Sequence, residues 1–399
     1  MNALGIALAL VLAQSGLQDL LGDSKPSPAA LQAMVEQTLP KVAKVMGATP
    51  KKVAVKVVDR VTAAKKIRTV LEREYPGDKL ERLGTALKLI HLVEPGVDVT
   101  RSALDLYSTQ VSGFYDATDH TLFLIDDQPE MLQGLIIPHE LAHALQDQKI
   151  GLDQATKERM DSEDAQLAMM AAVEGNAQAV AAEVMTLGLE GDESGLKEML
   201  GDVAGLSATM ATDKPDVPPW LALQLQFPYV AGAQLVKAVS GGSDPSAVSL
   251  LKRLPSSTAQ VLEPALYKKD EKPLRGAIDL AAALPGAAKV YETVVGRANI
   301  ELLGQGLGVG WRGDRLEAVR VDGGKPCAAW AVAFGKAEQA ERFAISYSGR
   351  TGAPANTRAK PSGKTVSSVS YKGSVVVVLE QVPEDKADAI EAAARKALH

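Results

Sequence analysis

The sequence predicts an α+β protein in which a mostly helical domain with a small edge sheet precedes a smaller C-terminal α+β domain. Three observations predict this fold. The chain has 399 residues, which is more than one hydrophobic core usually organises. Aromatic residues make up only 4% of it, so aliphatic residues must fill its cores, and its many alanines and leucines favour packed helices. From about Gly286 onward, strand-like runs punctuated by glycine replace the helical pattern.

The N-terminus has the pattern of an export signal. An apolar run from Leu4 to Leu12 is followed by Ala13, and a run of this length is too short to span a bilayer. We therefore predict a signal peptide at residues 1–13, a first domain at residues 29–285 and a C-terminal domain at residues 286–399. The expected location is secreted or periplasmic, and the alternative interpretation of the run is an N-terminal core helix.

Charge and cysteine content exclude several classes of partner and crosslink. The net charge is -6, with no basic stripe, which argues against nucleic acid as the main partner. No later segment approaches 18 consecutive apolar residues, so we expect no stable membrane insertion. The only cysteine, Cys327, lies in an apolar strand-like run and is expected to be a buried thiol.

Periodicity and turn residues predict the elements of the first domain. Three- and four-residue apolar spacing indicates helices, valine-rich runs indicate strands, and two aromatic or β-branched runs around a polar turn indicate a hairpin. The predicted elements are a helix at Leu31–Met46, a strand at Lys51–Arg60, helices at Thr62–Glu74 and Asp78–Ile90, a hairpin at Ser112–Asp126, and helices at Asp127–Gln148, Asp161–Leu187 and Trp220–Ser240.

The remaining segments are predicted from the same signals. A stretch rich in Gly, Thr, Asp and Pro, from Gly201 to Pro219, predicts a surface loop. The C-terminal domain is expected to contain strands at Leu316–Val321, Ala328–Phe334 and Ser367–Val378, a helix at Lys336–Tyr347 and a last helix from Glu384.

The motif HELAH carries the chemistry that the sequence predicts. His139 and His143 stand four residues apart, so on a helix both imidazoles lie on one face and can bind one zinc ion. Glu140 follows the first histidine, and its carboxylate can take a proton from a water that the metal activates. Pro138 directly precedes the motif and predicts that the helix begins or kinks there.

A catalytic zinc site needs a third protein ligand. Downstream of the motif the only further histidine is His399, which leaves carboxylates or the upstream His91 and His120. We predict Glu174, because it lies among small and apolar residues, where an ionised carboxylate is costly to bury without a cation beside it. The other carboxylates of this region are Glu163, Asp164 and Glu183, which stand nearer polar surroundings.

These residues resemble a known group of enzymes. HELAHALQDQ, followed by a helix that carries Glu-Gly, is similar to the gluzincin group of zinc peptidases, which includes the thermolysin-like enzymes. Further blocks resemble an uncharacterised bacterial family of secreted zincins over roughly residues 50 to 345. These blocks are GFYD at Gly113–Asp116, VEGNA at Val173–Ala177, FPYVAG at Phe227–Gly232, STAQVLEP at Ser257–Pro264 and WRGDR at Trp311–Arg315.

The resemblance implies a zincin fold for residues 29–285. It implies zinc on His139, His143 and Glu174, with Glu140 as the general base, and it implies that the hairpin from Phe114 to Asp126 lines a substrate cleft as an edge strand. Tyr229 is the candidate donor to the oxyanion of the intermediate, and Tyr267 is the reserve. Two positions depart from the pattern: Glu263 stands where the zincin family often has a histidine, and Gln178 where thermolysin-like enzymes have an aspartate.

The sequence therefore predicts zinc-dependent hydrolysis of peptide bonds, with a peptide or protein as the substrate and Zn2+ as the cofactor. The alternative is a non-catalytic module of the cell envelope that uses the zincin scaffold for binding. Glu140 argues against that alternative, because a purely structural metal site has no need of a base.

Overall fold

Helices form most of the first part of the chain, and a large sheet forms the C-terminal part. The computed structural model describes residues 25–187, 194–359 and 363–398. The predicted fold class is confirmed: the protein is α+β, with a three-stranded sheet among the helices and a separate six-stranded sheet near the C-terminus. The predicted signal peptide lies outside the described residues. Within them, no helix combines the length and the apolar character that crossing a bilayer requires.

The first part contains nine helices longer than five residues and three strands among its described residues. In chain order they are α1 (Pro28–Met46), β1 (Ala54–Val58), α2 (Arg60–Glu74), α3 (Lys79–Leu89), α4 (Val99–Gln110), β2 (Gly113–Asp116), β3 (Thr121–Ile125), α5 (Glu130–Ile150), α6 (Leu152–Lys157), α7 (Glu163–Thr186), α8 (Ser194–Thr212) and α9 (Pro219–Val239). The short helices α10 (Thr258–Leu262), α11 (Pro264–Lys268) and α12 (Leu280–Ala283) and a 3-10 turn at Val248–Lys252 follow.

The small sheet has the order β1-β3-β2. Strand β1 runs parallel to β3, and β2 pairs with β3 as the antiparallel hairpin that the sequence predicts. Strand β2 is therefore an edge strand, yet all four of its residues are buried. Helix α5 packs against it so closely that a Cβ atom on Gly113 would lie 2.8 Å from Cγ2 of Ile136.

Helices α5 and α7 are buried almost all round. This explains why neither has a clear amphipathic pattern, since a helix with protein on every side has no polar face. Helix α5 neither begins nor ends at Pro138 but continues through it from Glu130. Ser162 caps the start of α7, and its hydroxyl accepts a hydrogen bond from the backbone N–H of Ala165 at 3.0 Å.

The surface loop predicted at Gly201–Pro219 is wrong over its first part, because helix α8 continues to Thr212 and only residues 213–218 lie outside helices. Glycine and threonine have low helix propensity, but packing against α7 and α9 outweighs it. Ala208 is fully buried. The Thr209 and Thr212 hydroxyls each donate to the carbonyl four residues earlier, at 2.9 and 2.8 Å, so their polar groups are satisfied inside the helix.

The C-terminal part is built on a six-stranded sheet of order β4-β5-β6-β9-β8-β7. Its elements are β4 (Ala287–Thr293), α13 (Arg297–Ile300), a 3-10 turn at Glu301–Leu303, β5 (Trp311–Val321), β6 (Pro326–Phe334), α14 (Ala337–Thr351), β7 (Arg358–Ala359), β8 (Thr365–Lys372), β9 (Val375–Pro383), a 3-10 turn at Glu384–Lys386 and α15 (Ala387–Lys396). The single strand predicted at Ser367–Val378 is two strands, because Gly373 adopts a φ of 59° and turns the chain between them.

Alternating residues of this sheet face two different cores. One face packs against α14, and its residues, such as Trp330, belong to the same hydrophobic cluster as residues of α5 and α7. The other face packs against α15 and includes Cys327, whose thiol is buried as predicted and whose pKa burial raises to about 11. The division of the chain at residues 285 and 286 stays a prediction.

Candidate metal centre

Helix α5 brings the two histidines of the HELAH motif together. His139 and His143 lie one turn apart on the same face, and their Nε2 atoms are 3.0 Å apart. The ring planes are nearly perpendicular, at 84°. Two nitrogen lone pairs can thus point to one place between the rings.

Helix α7 supplies the third group. Oε2 of Glu174 lies 3.1 Å from Nε2 of His139 and 3.6 Å from Nε2 of His143. A tetrahedral zinc ion with bonds of about 2.0 to 2.1 Å holds its ligand atoms about 3.3 to 3.4 Å apart, and the three distances in this protein average close to that value. Three acceptor atoms at these separations repel one another unless a proton or a cation lies between them. The donor set therefore fits a zinc ion, and the ligand roles of these three residues stay a prediction.

The site is fully enclosed, and burial governs its electrostatics. His139, His143 and Glu174 are each at most 2% exposed. Burial lowers the pKa of His139, which keeps the imidazole neutral, as metal binding requires. Burial alone would raise the pKa of Glu174, but the electrostatic influence of His143 and the polar contacts with both imidazoles outweigh it and lower that pKa. Glu174 therefore stays anionic beside the neutral imidazole of His139.

Glu140 and Tyr229 complete the surroundings. Glu140 is fully buried, and one atom each of His139, Glu140 and His143 lie within 4.8 Å of one another. The Tyr229 ring centre is 6.4 Å from that of His139. Burial, followed by the charges of Glu174 and Glu140, raises the pKa of Tyr229 well above its ordinary value, so its hydroxyl stays protonated. Tyr229 lies in the middle of α9, which continues through Pro228.

A hydrogen-bond network behind His143 was missed by the sequence analysis. Nδ1 of His143 lies 2.8 Å from Oε1 of Gln146. Nε2 of Gln146 donates to the carbonyl of Val173 at 2.9 Å and to Oδ1 of Asn176 at 2.8 Å. Asn176 in turn donates to the carbonyl of Ser246 at 2.8 Å. The position of Gln146, three residues after His143 on the same helix face, is a signal that could have indicated it.

The alternative third ligands have partners elsewhere. His91 lies 3.3 Å from Glu380, and His120 lies 2.7 Å from Asp147. The three other carboxylates are also engaged: Glu163 accepts a hydrogen bond from Tyr291, Asp164 accepts two from Thr258, and Glu183 pairs with Lys197.

The remaining candidate residues lie in other surroundings. The hydroxyl of Tyr267 donates to the carbonyl of Arg253 at 2.7 Å, and the carboxylate of Glu263 pairs with the guanidinium of Arg297. Gln178 lies one turn after Glu174 and helps to line a cavity of about 160 Å³ between α7, α8 and α9. Glu263 therefore forms an ion pair at the position where the zincin family often has a histidine.

Comparison with known proteins supports the chemistry at a coarse level. Residues 78–219 match the model of a family described as "Putative metallopeptidase family (DUF6782)". This stretch covers roughly a third of the chain and includes His139, Glu140, His143 and Glu174, but not Tyr229. Comparisons with curated proteins and with solved structures returned no match. The family match and the cluster of two histidines and a glutamate together support a metallopeptidase.

Proposed function

We propose that this protein is a zinc-dependent endopeptidase of the gluzincin type, with a peptide or protein as its substrate. The observation that carries the proposal is the convergence of Nε2 of His139, Nε2 of His143 and Oε2 of Glu174 within 3.0 to 3.6 Å of one another. Two histidines of one helix and a glutamate of another form the ligand pattern of gluzincins. The set has three protein ligands rather than four, which is typical of catalytic zinc.

The residues around the centre have distinct roles in this proposal. Bound zinc supplies Lewis acidity, which lowers the pKa of water to about 7. Glu140 acts as the general base that takes a proton from the attacking water and passes it to the leaving amine. Tyr229 donates a hydrogen bond to the carbonyl oxygen on which negative charge develops. An extended peptide would lie along the edge of β2, where its backbone can pair with the strand.

Export is a further part of the proposal. It rests on the apolar run from Leu4 to Leu12 and on Ala13. If residues 1–13 are a signal peptide, N-terminal sequencing of the protein recovered from the periplasm or the medium should begin at Gln14. Recovery only from the cytoplasm with residue 1 retained would contradict it.

The test of the catalytic proposal is Glu140→Gln. This variant keeps the size of the side chain but removes the base, so it should retain zinc and lose cleavage of an unfolded protein such as casein by about 10²- to 10⁴-fold. Glu130→Gln is the matched control, because it makes the same change at an exposed position of the same helix. Wild-type activity should also disappear with a chelator and return with added zinc. Unchanged cleavage by Glu140→Gln would remove Glu140 from the mechanism.

One observation favours the alternative of a non-catalytic binding module of the cell envelope. All five groups of the proposed centre, including Glu140 and Tyr229, are at most 2% exposed. A peptide can reach them only if a neighbouring segment moves. Elemental analysis separates the two functions: stoichiometric zinc together with no cleavage of any tested protein or peptide would favour the binding module.

A further inference from the structure

We propose that Gln146 is a positioning residue that fixes the tautomer and the ring orientation of His143 and thereby strengthens metal binding. The inference rests on the metal centre of the proposed function but concerns a residue outside its ligand set. It follows from the directions of four hydrogen bonds, which two backbone carbonyls determine.

The carbonyl of Ser246 sets the first direction. A carbonyl oxygen can only accept, so the atom of Asn176 that lies 2.8 Å from it must be the amide nitrogen. The amide oxygen of Asn176 is then the atom that faces Gln146 at 2.8 Å. The group of Gln146 that faces it must donate.

The carbonyl of Val173 independently identifies the donor atom of Gln146. It lies 2.9 Å from the same terminal atom of Gln146, which must therefore be the nitrogen of the amide group. The two hydrogens of that nitrogen satisfy Val173 and Asn176. The oxygen of Gln146 is left to face Nδ1 of His143 at 2.8 Å, and an oxygen acceptor there requires that Nδ1 carries the proton.

This assignment leaves Nε2 of His143 with its lone pair, pointing at the space shared with His139 and Glu174. The other tautomer would carry its hydrogen on Nε2, and that hydrogen would have to move before Nε2 could bind a metal. His139 has no equivalent support, since among the described residues its Nδ1 atom has no hydrogen-bond partner. Among the described residues, Nδ1 of His143 therefore has a positioning partner, whereas Nδ1 of His139 has none.

The network is also shielded from water. Gln146 and Asn176 are fully buried, and Ser246 is 2% exposed, so water does not compete for their groups. The network connects α5 and α7 to the segment after α9. Both oxygens of Asp244 hold that segment by accepting from the backbone N–H groups of Val248 and Ser249, at 2.6 and 3.0 Å.

The test is the metal affinity of Gln146→Met in the full chain, measured by competition for Zn2+ with a chromophoric chelator. Methionine has a similar size but makes none of the three hydrogen bonds, and loss of such a partner typically weakens metal binding 10- to 100-fold. Gln133→Met is the matched control. Gln133 is equally buried on the same helix and donates to the carbonyl of Ile125 at 3.0 Å, away from both imidazoles.

The expected result is a 10- to 100-fold weaker affinity for Gln146→Met and a change of less than about 3-fold for Gln133→Met. Equal affinities of wild type and Gln146→Met, or an equal loss in both variants, would overturn the inference. Because the readout is bound metal, an inactive wild type that binds zinc leaves this test intact. A wild type that binds no zinc would defeat the proposed function and this inference with it.

A second measurement determines the tautomer in the wild type itself. In metal-free protein labelled with ¹⁵N-histidine, long-range ¹H–¹⁵N spectra distinguish the two tautomers of each imidazole. The chain has only five histidines, and His143→Gln, compared with the wild type, assigns the signals of His143. The inference requires a protonated Nδ1 and an unprotonated Nε2 on His143, and the opposite tautomer would overturn it.

Discussion

At the scale of single residues, Tyr229 is prepared for hydrogen-bond donation by its surroundings. Its hydroxyl stays protonated even at alkaline pH, because burial and then the charges of Glu174 and Glu140 raise its pKa well above the ordinary value. A group that stays protonated beside two carboxylates can offer its hydrogen wherever negative charge develops. An oxyanion donor has to keep its hydrogen, and the surroundings of Tyr229 extend this property beyond the pH at which an exposed tyrosine ionises.

The Tyr229→Phe variant is expected to lower kcat by about 10²- to 10³-fold, the usual effect of removing one such donor. KM and bound zinc should stay near the wild-type values. The matched control is Tyr267→Phe, because that hydroxyl already donates to the carbonyl of Arg253, and kcat should change little there. Steady-state kinetics and elemental analysis provide the measurements. If bound zinc falls as much as kcat, Tyr229 supports Glu174 and is no oxyanion donor.

At the scale of elements, the close crossing of α7 and α9 holds Glu174 and Tyr229 on the same centre. The two helices touch backbone to backbone at Gly175 and Gly232. A Cβ atom on Gly175 would lie 2.3 Å from the carbonyl oxygen of Gly232, and one on Gly232 would lie 2.2 Å from that of Ala171. Glycine is needed at this crossing because any side chain would separate the helices that carry the site.

The Gly175→Ala variant should therefore lower the free energy of unfolding by about 1 to 3 kcal/mol, the usual cost of forcing extra atoms into a packed core. The same change at Gly134 serves as the comparison. Gly134 lies inside α5, and a Cβ atom there would meet nothing within 4 Å, so alanine should add up to about 1 kcal/mol through its higher helix propensity. Denaturant titration measures both, and a neutral Gly175→Ala would show that the helices separate at no cost.

At the scale of the whole molecule, two buried aspartates join the helical part to the large sheet. Asp314 accepts four hydrogen bonds: from the backbone N–H groups of Val295 and Gly296, at 2.7 and 2.8 Å, and from the indole N–H groups of Trp311 and Trp330, at 2.9 and 3.1 Å. These bonds connect β5 and β6 to the loop before α13. That loop meets α7, because the backbone N–H of Asp164 donates to the carbonyl of Val294 at 3.1 Å. The WRGDR block therefore braces the loop at the junction between the two parts.

Asp164 forms the other half of this junction, at the start of α7. Its Oδ1 atom accepts from both the backbone N–H and the hydroxyl of Thr258, at 3.0 and 2.5 Å. The same hydroxyl accepts from the backbone N–H of Ala298 at 3.0 Å. The STAQVLEP block therefore bridges α7 and α13, and a Cβ atom on Gly296 would collide with Asp164.

The pH dependence of stability should report on Asp164. Burial raises its pKa to about 7, with a smaller contribution from the charge of Asp314. Because this pKa exceeds the ordinary value of 3.8 in the unfolded chain, the stabilising contribution is complete below about pH 4 and is lost as the pH rises through 7. The free energy of unfolding of the wild type relative to Asp164→Asn should fall by up to about 1.4 kcal/mol per pH unit in that window.

Denaturant titrations at several pH values measure this difference. Asp59→Asn is a control of opposite sign. A hydrogen bond from the backbone N–H of Thr62 lowers the pKa of Asp59, so its contribution is constant above about pH 4 and is lost only below it. A difference between wild type and Asp164→Asn that stays constant from pH 4 to 7 would contradict the prediction.

Features that depend on local geometry could be predicted from the sequence. The four-residue spacing of His139 and His143 places both on one helix face whatever surrounds that helix. Glu174 could be predicted as the third ligand, because burying an ionised carboxylate among alanines and valines costs free energy unless a cation is near. The structure places Glu174 beside the two imidazoles. The hairpin and the change from helices to strands near residue 286 followed from periodicity and turn residues in the same way.

Only the tertiary structure decided the features that depend on contacts between distant segments. It made a helix of the glycine- and threonine-rich segment before Thr212, since packing against α7 and α9 outweighs propensity. It linked Gln146 through Asn176 to the carbonyl of Ser246, which stands a hundred positions after Gln146 in the chain, and it enclosed Glu140 on every side. The sequence by itself determined that His139 and His143 could share a metal, because that follows from spacing along one helix. The packing of α5, α7 and α9 determined what supports and covers them, because burial is a property of the assembled chain.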